Sequence, residues 1–233
     1  MISIVMPAHN EAGWIEPAVT AVVSGARDRG IDFEVVIAEN GSSDTTAAES
    51  EALAGCYPEV HVIRSRAADY GQALRDGFLA TRGEIVVNFD VDLVDLGFLD
   101  RALGAMADPH VAVVVGSKRS PGANDRRNAA RKAVTAVFSV VMRYGFGLGV
   151  SDTHGLKALR REPLEAVVAA SRLGADIFDT EIVLRAERAG LTVVEIPVAV
   201  VDQRPPRTPI ARRIPRSLMG LAQLRLVLWR EDS

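Results

Sequence analysis

The chain has 233 residues, 48% hydrophobic, 24% charged and 5% aromatic, a composition that fits an ordinary globular chain with one α/β core. A net charge of −3 gives no overall bias toward nucleic acid or membrane, and the single cysteine, Cys56, excludes an intrachain disulfide framework and fits a reducing compartment. The opening MISIVMPAHNE has neither the basic start nor the long apolar stretch of a signal peptide, and no run of about 18 apolar residues occurs later, so the expectation is a cytoplasmic chain that spans no membrane.

In chain order, apolar runs rich in Val and Ile predict strands at ISIVM (2–6), FEVVIA (33–38), VHVI (60–63), EIVVNF (84–89) and VAVVVG (111–116). Helical periodicity fills the gaps near 15–29, 44–55, 71–81 and 96–107. Runs without polar alternation belong to strands covered on both faces, and their alternation with helices implies βαβ units with ligands at the carboxyl ends of the strands. Gly77, inside a helical pattern, reads as a close approach of that helix to the sheet. After about residue 117 the rhythm changes to a basic stretch, a helix near 127–146, the short segment THGLKAL, helices near 161–170 and 179–189, the strand TVVEIPV and an arginine-rich tail. No Pro/Gly/Ser linker accompanies the change, so the second subregion packs on the first within a single domain, 1–233.

The stretch EIVVNFDVDLVD (84–95) ends a buried run in carboxylates. Strand residues two apart point to the same face, so Asp90 and Asp92 converge on one ligand if the extended geometry persists. Carboxylates that close repel unless a cation lies between them, and an oxygen-only donor set selects Mg2+ or Mn2+ over zinc. The competing reading makes Asp95 the cap of the helix that begins near Leu96 and the other acids solvated turn residues. Two more strand ends are polar: PAHNE (7–11) and ENGSSDTT (39–46), the latter with Ser43 or Asp44 as a helix cap. Three polar turns at the carboxyl ends of one sheet form a crevice suited to a nucleotide.

The ordered set IVMPAHNEA, FEVVIAENGSSDTT, YGQALRDGFLATRGEIVVNFDVD, VVVGSKRSPG, VSDTHGLKALRREPL and FDTEIVLRAERAGLTVVEIPVAVVDQR resembles family 2 glycosyltransferases of the GT-A fold, especially the dolichyl- and polyprenyl-phosphate mannose synthase branch. The resemblance covers about residues 2–206 and implies a Rossmann-like, mixed but mainly parallel sheet flanked by helices. Residues 1–116 would form the nucleotide-sugar half, 117–206 the acceptor-side half and 207–233 a basic amphipathic segment. It implies inverting transfer of a mannose- or glucose-type sugar from a nucleotide-diphosphate sugar (GDP-mannose or UDP-glucose type) to a lipid phosphate, with Asp90 and Asp92 holding Mg2+ or Mn2+ on the diphosphate. Pro7, Ala8, His9, Glu11 and Glu39 would line the base and ribose pocket, with Gly71 and Arg204 in the same binding set. Glu181 of FDTE would lie near the donor sugar or acceptor, as a general base where the acceptor is a hydroxyl. Lys118, Arg127 and Arg131 would hold the acceptor phosphate.

Several positions depart from that pattern. Val94 stands where some relatives carry a polar ligand, ENGS replaces DDGS, Tyr70 replaces a basic residue before the glycine, and QRPPRTP (203–209) replaces an Arg-x-x-Gly-x-Ser element. Two other readings stay open: a transferase of the same fold acting on a soluble hydroxyl acceptor, and a silent nucleotide-binding scaffold, against which the intact Asp90 and Asp92 speak. Of the four histidines only His9 and His154 fall in these motifs.

Residues 117–132 carry six Lys or Arg and one acid, and residues 203–230 carry seven arginines and no acid. The second half of the tail, SLMGLAQLRLVLWR (217–230), predicts a helix with Leu218, Leu221, Leu224 and Leu228 near one face, too short to span a bilayer. The expectation is peripheral contact with a membrane surface, with plain packing on the sheet as its competitor.

Overall fold

The computed structural model describes residues 1–66, 68–125, 129–153, 155–171, 173–174, 177–200 and 210–231. β1 (Ile2–Ala8) and β2 (Phe33–Asn40) are buried at every position, as unbroken β-branched runs between two helix layers require. Along β1 the side chains alternate: Ile4 and Met6 join one core and Val5 the other. β1 pairs in parallel with β2 and with β4 (Ile85–Asn88), and β2 with β3 (Val60–Ser65). The remaining sheet strands are β5 (Val111–Ser117), β7 (Lys157–Arg160) and β8 (Thr192–Pro197), giving the order β3-β2-β1-β4-β7-β5-β8. A separate parallel pair joins β6 (Asn124–Asp125) to β9 (Ala199–Val200).

One face of the sheet is covered by α1 (Ile15–Asp28), α2 (Thr46–Cys56) and α4 (Leu96–Ala105), through Val19, Leu53 and Phe98. The other is covered by α3 (Tyr70–Ala80), α5 (Ala129–Phe146), α6 (Arg161–Ala170), α7 (Phe178–Arg188) and α8 (Ile210–Glu231), through Leu74, Met142, Leu164, Ile182 and Leu224. Gly77 behaves as its position in the helical pattern predicts: a Cβ there would come within 2.6 Å of Val5 Cγ1, so α3 lies against β1 only because the side chain is absent.

β7 is the strand that the apolar runs do not announce. It runs antiparallel to both β4 and β5, with Asn88 opposite Lys157 and Val115 opposite the same lysine. This one reversed strand makes the sheet mixed and carries Lys157 into the core at 2% exposure. The predicted C-terminal helix exists and begins earlier, at Ile210, but its faces divide differently from expectation. Leu221, Leu224 and Leu228 are buried in the core beside α7, whereas Leu218 is exposed together with Met219, Leu226 and Trp229. The face expected to meet a membrane is therefore largely spent on packing.

At the end of the sheet away from the polar turns, Glu34 is buried at 3% exposure. It accepts hydrogen bonds from Ser3 Oγ at 2.6 Å, Arg82 N at 2.6 Å and Arg82 Nε at 3.0 Å, while Ser3 Oγ accepts from Gly83 N at 2.8 Å. Burial pushes the carboxyl up, but the Ser3 and Arg82 hydrogen bonds outweigh it and hold the group below its ordinary value. A depressed folded pKa adds stability above the unfolded value, which is lost as pH falls through the folded one. Glu34→Ala is expected to lower unfolding stability by about 2 kcal/mol at pH 7, because it strands the Ser3 hydroxyl and Arg82 amide. In urea titrations the gap from the parent chain narrows below about pH 4; a gap that stays constant with pH would contradict this account.

Candidate active site

The β1–α1 and β2–α2 turns are stitched to each other at the carboxyl ends of their strands, where Ala8 pairs with Glu39 and Pro7 with Ala38. His9 Nδ1 lies 2.7 Å from the Asn40 carbonyl, which can only accept, so Nδ1 carries the proton and Nε2 is left to accept from Asn10 Nδ2 at 3.3 Å. Asn10 has φ 54°, a left-handed conformation that Asn tolerates. In that conformation its N–H donates to Ser42 Oγ at 3.0 Å and its Oδ1 accepts from Ser43 N at 2.9 Å. Glu11 N donates to Thr46 Oγ1 at 2.7 Å, and Ala12 N to Asp44 Oδ2 at 3.3 Å. Asp44 also accepts from Thr46 N at 3.0 Å, but the N-cap of α2 is Thr45, without a side-chain cap hydrogen bond, so neither Ser43 nor Asp44 is the cap expected of them. Glu39 is 2% exposed and accepts from Ser42 N at 2.6 Å, with Arg64 Nε 3.6 Å from its other oxygen. Five of the predicted residues, Pro7, Ala8, His9, Glu11 and Glu39, thus share one edge, with Ala8 and Glu39 built into its floor.

The acidic stretch takes a different shape from the extended one assumed for it. β4 ends at Asn88, and the chain then turns sharply, with Leu93 N donating to Asp90 O at 2.9 Å. Asp90 and Asp92 lie in one tight turn instead of along one strand face, near enough for the Asp92 charge to act on Asp90. Asp95 caps α4, accepting from Phe98 N at 2.8 Å, as predicted. Asp90 is raised to about 6 by burial and by the charges of Asp179 and Asp92, against an opposing pull from Lys157.

Asp179, Lys157, Tyr70 and Asn88 complete this cluster, and the sequence reading gave none of them a role at the cation. Lys157 Nζ lies 2.8 Å from Asp179 Oδ1 and donates to the Gly155 carbonyl at 2.8 Å. Tyr70 donates its hydroxyl to Asp90 Oδ1 at 3.2 Å. Burial, then the charges of Asp179 and Asp90, push that phenol well above the ordinary tyrosine range, so it stays a donor. The Asn88 amide is buried beside the same hydroxyl, yet neither of its polar atoms makes a hydrogen bond of ordinary geometry.

Glu181 is not turned toward this cluster. Residues two apart on a helix point about 200° apart, so a helix that aims Asp179 at Lys157 aims Glu181 away. Glu181 is fully buried, accepting from Arg185 Nε at 2.8 Å and Leu173 N at 2.9 Å, and Arg185 in turn binds Glu231 of α8 at 2.8 Å. Gly71 is not open to a phosphate either: a Cβ there would lie 2.9 Å from the Gly174 backbone and from Phe178 Cβ. Lys118, at the end of β5, pairs with Asp152 at 3.5 Å and lies beside Gly155. Arg131 stands on α5 with its side chain outside what is described, and Arg127, His154 and Arg204, with the 203–209 segment, lie outside the described residues.

The acids here offer hard oxygen donors, and the elevated Asp90 signals negative charge that a divalent cation would relieve. Among the described residues no three acidic, histidine or cysteine side chains form a closed metal cage. A cation at this turn would draw its remaining oxygens from a bound ligand and water, as Mg2+ does on a diphosphate.

The model of the family described as "Glycosyl transferase family 2" matches residues 3–168. The chain belongs to glycosyl transferase family 2. Among curated members it is 31% identical over 202 residues to glycosyltransferase AglD of Haloferax volcanii, covering 84% of this chain and 32% of that protein. It is 26% identical over 209 residues to a dolichyl-phosphate beta-glucosyltransferase of Trichomonas vaginalis, covering 84% and 64%. The chain thus spans about a third of the archaeal family member and just under two thirds of the Trichomonas one. Glucosyl-3-phosphoglycerate synthase from Mycobacterium tuberculosis, solved with Mn2+, UDP and glucosyl-3-phosphoglycerate, superposes with a TM-score of 0.70 at 23% identity, over 97% of this chain and 79% of that one. The mannosyltransferase PcManGT from Pyrobaculum calidifontis, solved with GDP-Man and Mn2+, gives 0.67 at 24% identity, over 98% and 64%. These similarities establish the GT-A fold for this family 2 chain.

Proposed function

We propose that the chain transfers a hexose from a nucleotide-diphosphate sugar to a polyprenyl phosphate at a membrane surface. Asp90 and Asp92 would hold Mg2+ or Mn2+ against the diphosphate; bound there, the cation stabilises the charge on the departing nucleotide. His9, Glu11 and the 39–46 turn form the edge on which base and ribose rest, and Lys118 faces the acceptor side. A phosphate acceptor is already ionised near neutral pH and needs no general base, which agrees with a Glu181 committed to Arg185.

The observation that carries the lipid acceptor is where apolar surface lies. Of twelve exposed large apolar side chains among the described residues, nine fall on α5 and α8: Val134, Val137, Val140, Val141 and Tyr144, then Leu218, Met219, Leu226 and Trp229. The two helices are tied by Arg225 Nη1 donating to Gly145 O at 3.2 Å. The same helices carry Lys132 and Arg143 on α5 and Arg225 and Arg230 on α8, so exposed apolar side chains and cations lie together in a chain whose net charge is −3. An anionic lipid surface complements both features, whereas a second copy would oppose like charge to like. No helix among the described residues is long and apolar enough to cross a membrane.

The competing reading, a hydroxyl acceptor such as a phosphoglycerate, draws on the Mycobacterium synthase and on Asp179, a carboxylate close to Asp90. Incubation with UDP-glucose or GDP-mannose and Mn2+ separates the two. We expect labelled sugar in vesicles of anionic lipid that contain polyprenyl phosphate, with co-sedimentation that weakens at high salt. Transfer to 3-phosphoglycerate by protein that stays in the supernatant would overturn the lipid reading.

A further inference from the structure

We infer that Tyr70 is a positioning residue for Asp90, fixing one carboxylate oxygen so that the other is presented to the cation; this rests on the proposed cation role of Asp90. The tyrosine heads α3, and three features hold it there. Asp69 caps the helix by accepting from Gln72 N at 3.1 Å. The Asp69 N–H donates to Asn40 Oδ1 at 2.7 Å, which ties the start of α3 to the ENGS turn on the nucleotide side. Gly71, with no Cβ, lets α3 press against Gly174 and Phe178 at the start of α7. In that position the phenol lies within the fields of both Asp90 and Asp179 and reaches Asp90 Oδ1 at 3.2 Å.

The result is a line of contacts from Asn40 through Asp69 and Tyr70 to Asp90. It connects the turn that would meet the nucleotide base with the turn that would meet its diphosphate. A carboxylate at the tip of a tight turn has rotational freedom about χ1 and χ2, and a donor on one oxygen removes part of it before any ligand arrives. Partners of this kind alter metal affinity by about ten- to a hundredfold when removed. Phenylalanine at position 70 keeps the ring and its packing and deletes only the donor.

The test is Mn2+ binding to the full chain, read from the electron paramagnetic resonance signal of free Mn2+, without nucleotide and with saturating UDP or GDP. Asp90→Ala and Tyr70→Phe are measured beside the parent, with melting temperatures recorded for each. We expect Tyr70→Phe to weaken nucleotide-dependent Mn2+ binding by at least tenfold, to leave metal-free UDP and GDP affinity unchanged, and to melt close to the parent. If Asp90→Ala abolishes Mn2+ binding and Tyr70→Phe retains parental affinity, the positioning role is overturned while the cation site stands. If Asp90→Ala also retains it, the cation reading falls and the role of Tyr70 with it.

Discussion

Asp92→Ala is expected to abolish sugar transfer and Asp90→Ala to reduce kcat by about a thousandfold, a loss on the order of 4 kcal/mol of transition-state stabilisation. In the proposed site each would remove a charged oxygen donor where negative charge develops on the leaving diphosphate, so the loss would belong to kcat more than to donor KM. Stability should move the other way. Asp90 is raised to about 6 by burial and its acidic neighbours, so its ionised form is strained in the metal-free chain, and removing it relieves that repulsion. The metal-free Asp90→Ala chain should therefore melt no lower than the parent while losing the thermal shift that Mn2+ plus nucleotide produces. Steady-state transfer with both variants, alongside melting curves with and without Mn2+, checks the two directions together. Parental turnover in either variant, or an unchanged Mn2+ shift, would remove these acids from the site.

Much of the fold was legible because it is written in uninterrupted apolar runs. All five runs are strands in one sheet, and Asp95 caps the helix it precedes. β7 was not legible for a definable reason: KALR holds two cations, and a lysine signals solvent in any pattern reading, although Lys157 is buried by an ion pair. The helix at 217–230 was found, but a sequence periodicity has no sign. It shows that Leu221, Leu224 and Leu228 share a face without showing that this face meets α7 while Leu218 and Trp229 face out.

The site divides along the same line. Residues brought together by adjacent strand ends, such as His9, Glu11 and Glu39, could be read from position alone, because parallel strands end side by side. Residues that enter from distant elements could not. Asp179 stands two places from the acid selected from FDTE, and only the rotation of α7 decides which of the pair faces β7. An aspartate beside a buried hydrophobic, Phe178, at the start of a helix was the available signal. The same holds for Tyr70, whose reach depends on Gly71 pressing against a loop a hundred positions later.

Lys157→Met should be the most destabilising single change in the molecule's polar core. The ammonium is 2% exposed, lies 2.8 Å from Asp179 Oδ1 and also pulls the Asp90 titration down. Methionine matches the alkyl stem and deletes the charge, which leaves the buried Asp179, whose charge already raises Asp90, without the Lys157 ammonium that pairs with it. Breaking one side of a buried pair costs about 3–5 kcal/mol, a large part of the 5–15 kcal/mol typical of a domain, and lowers the melting temperature by roughly 10 °C for a chain of this size. Replacing both partners, as Lys157→Met with Asp179→Leu, removes the stranded charge and should recover most of that loss, since apolar substitutes for buried pairs are often neutral. Calorimetry on the single and double variants measures the coupling directly. A single variant that melts within about 2 °C of the parent would mean that water reaches Asp179 and solvates it, so that the pair contributes little. The recovered double variant also isolates chemistry from folding: stable protein with parental transfer assigns Asp179 to the scaffold, whereas stable protein with lost transfer to a hydroxyl acceptor and intact transfer to a phosphate assigns it the proton.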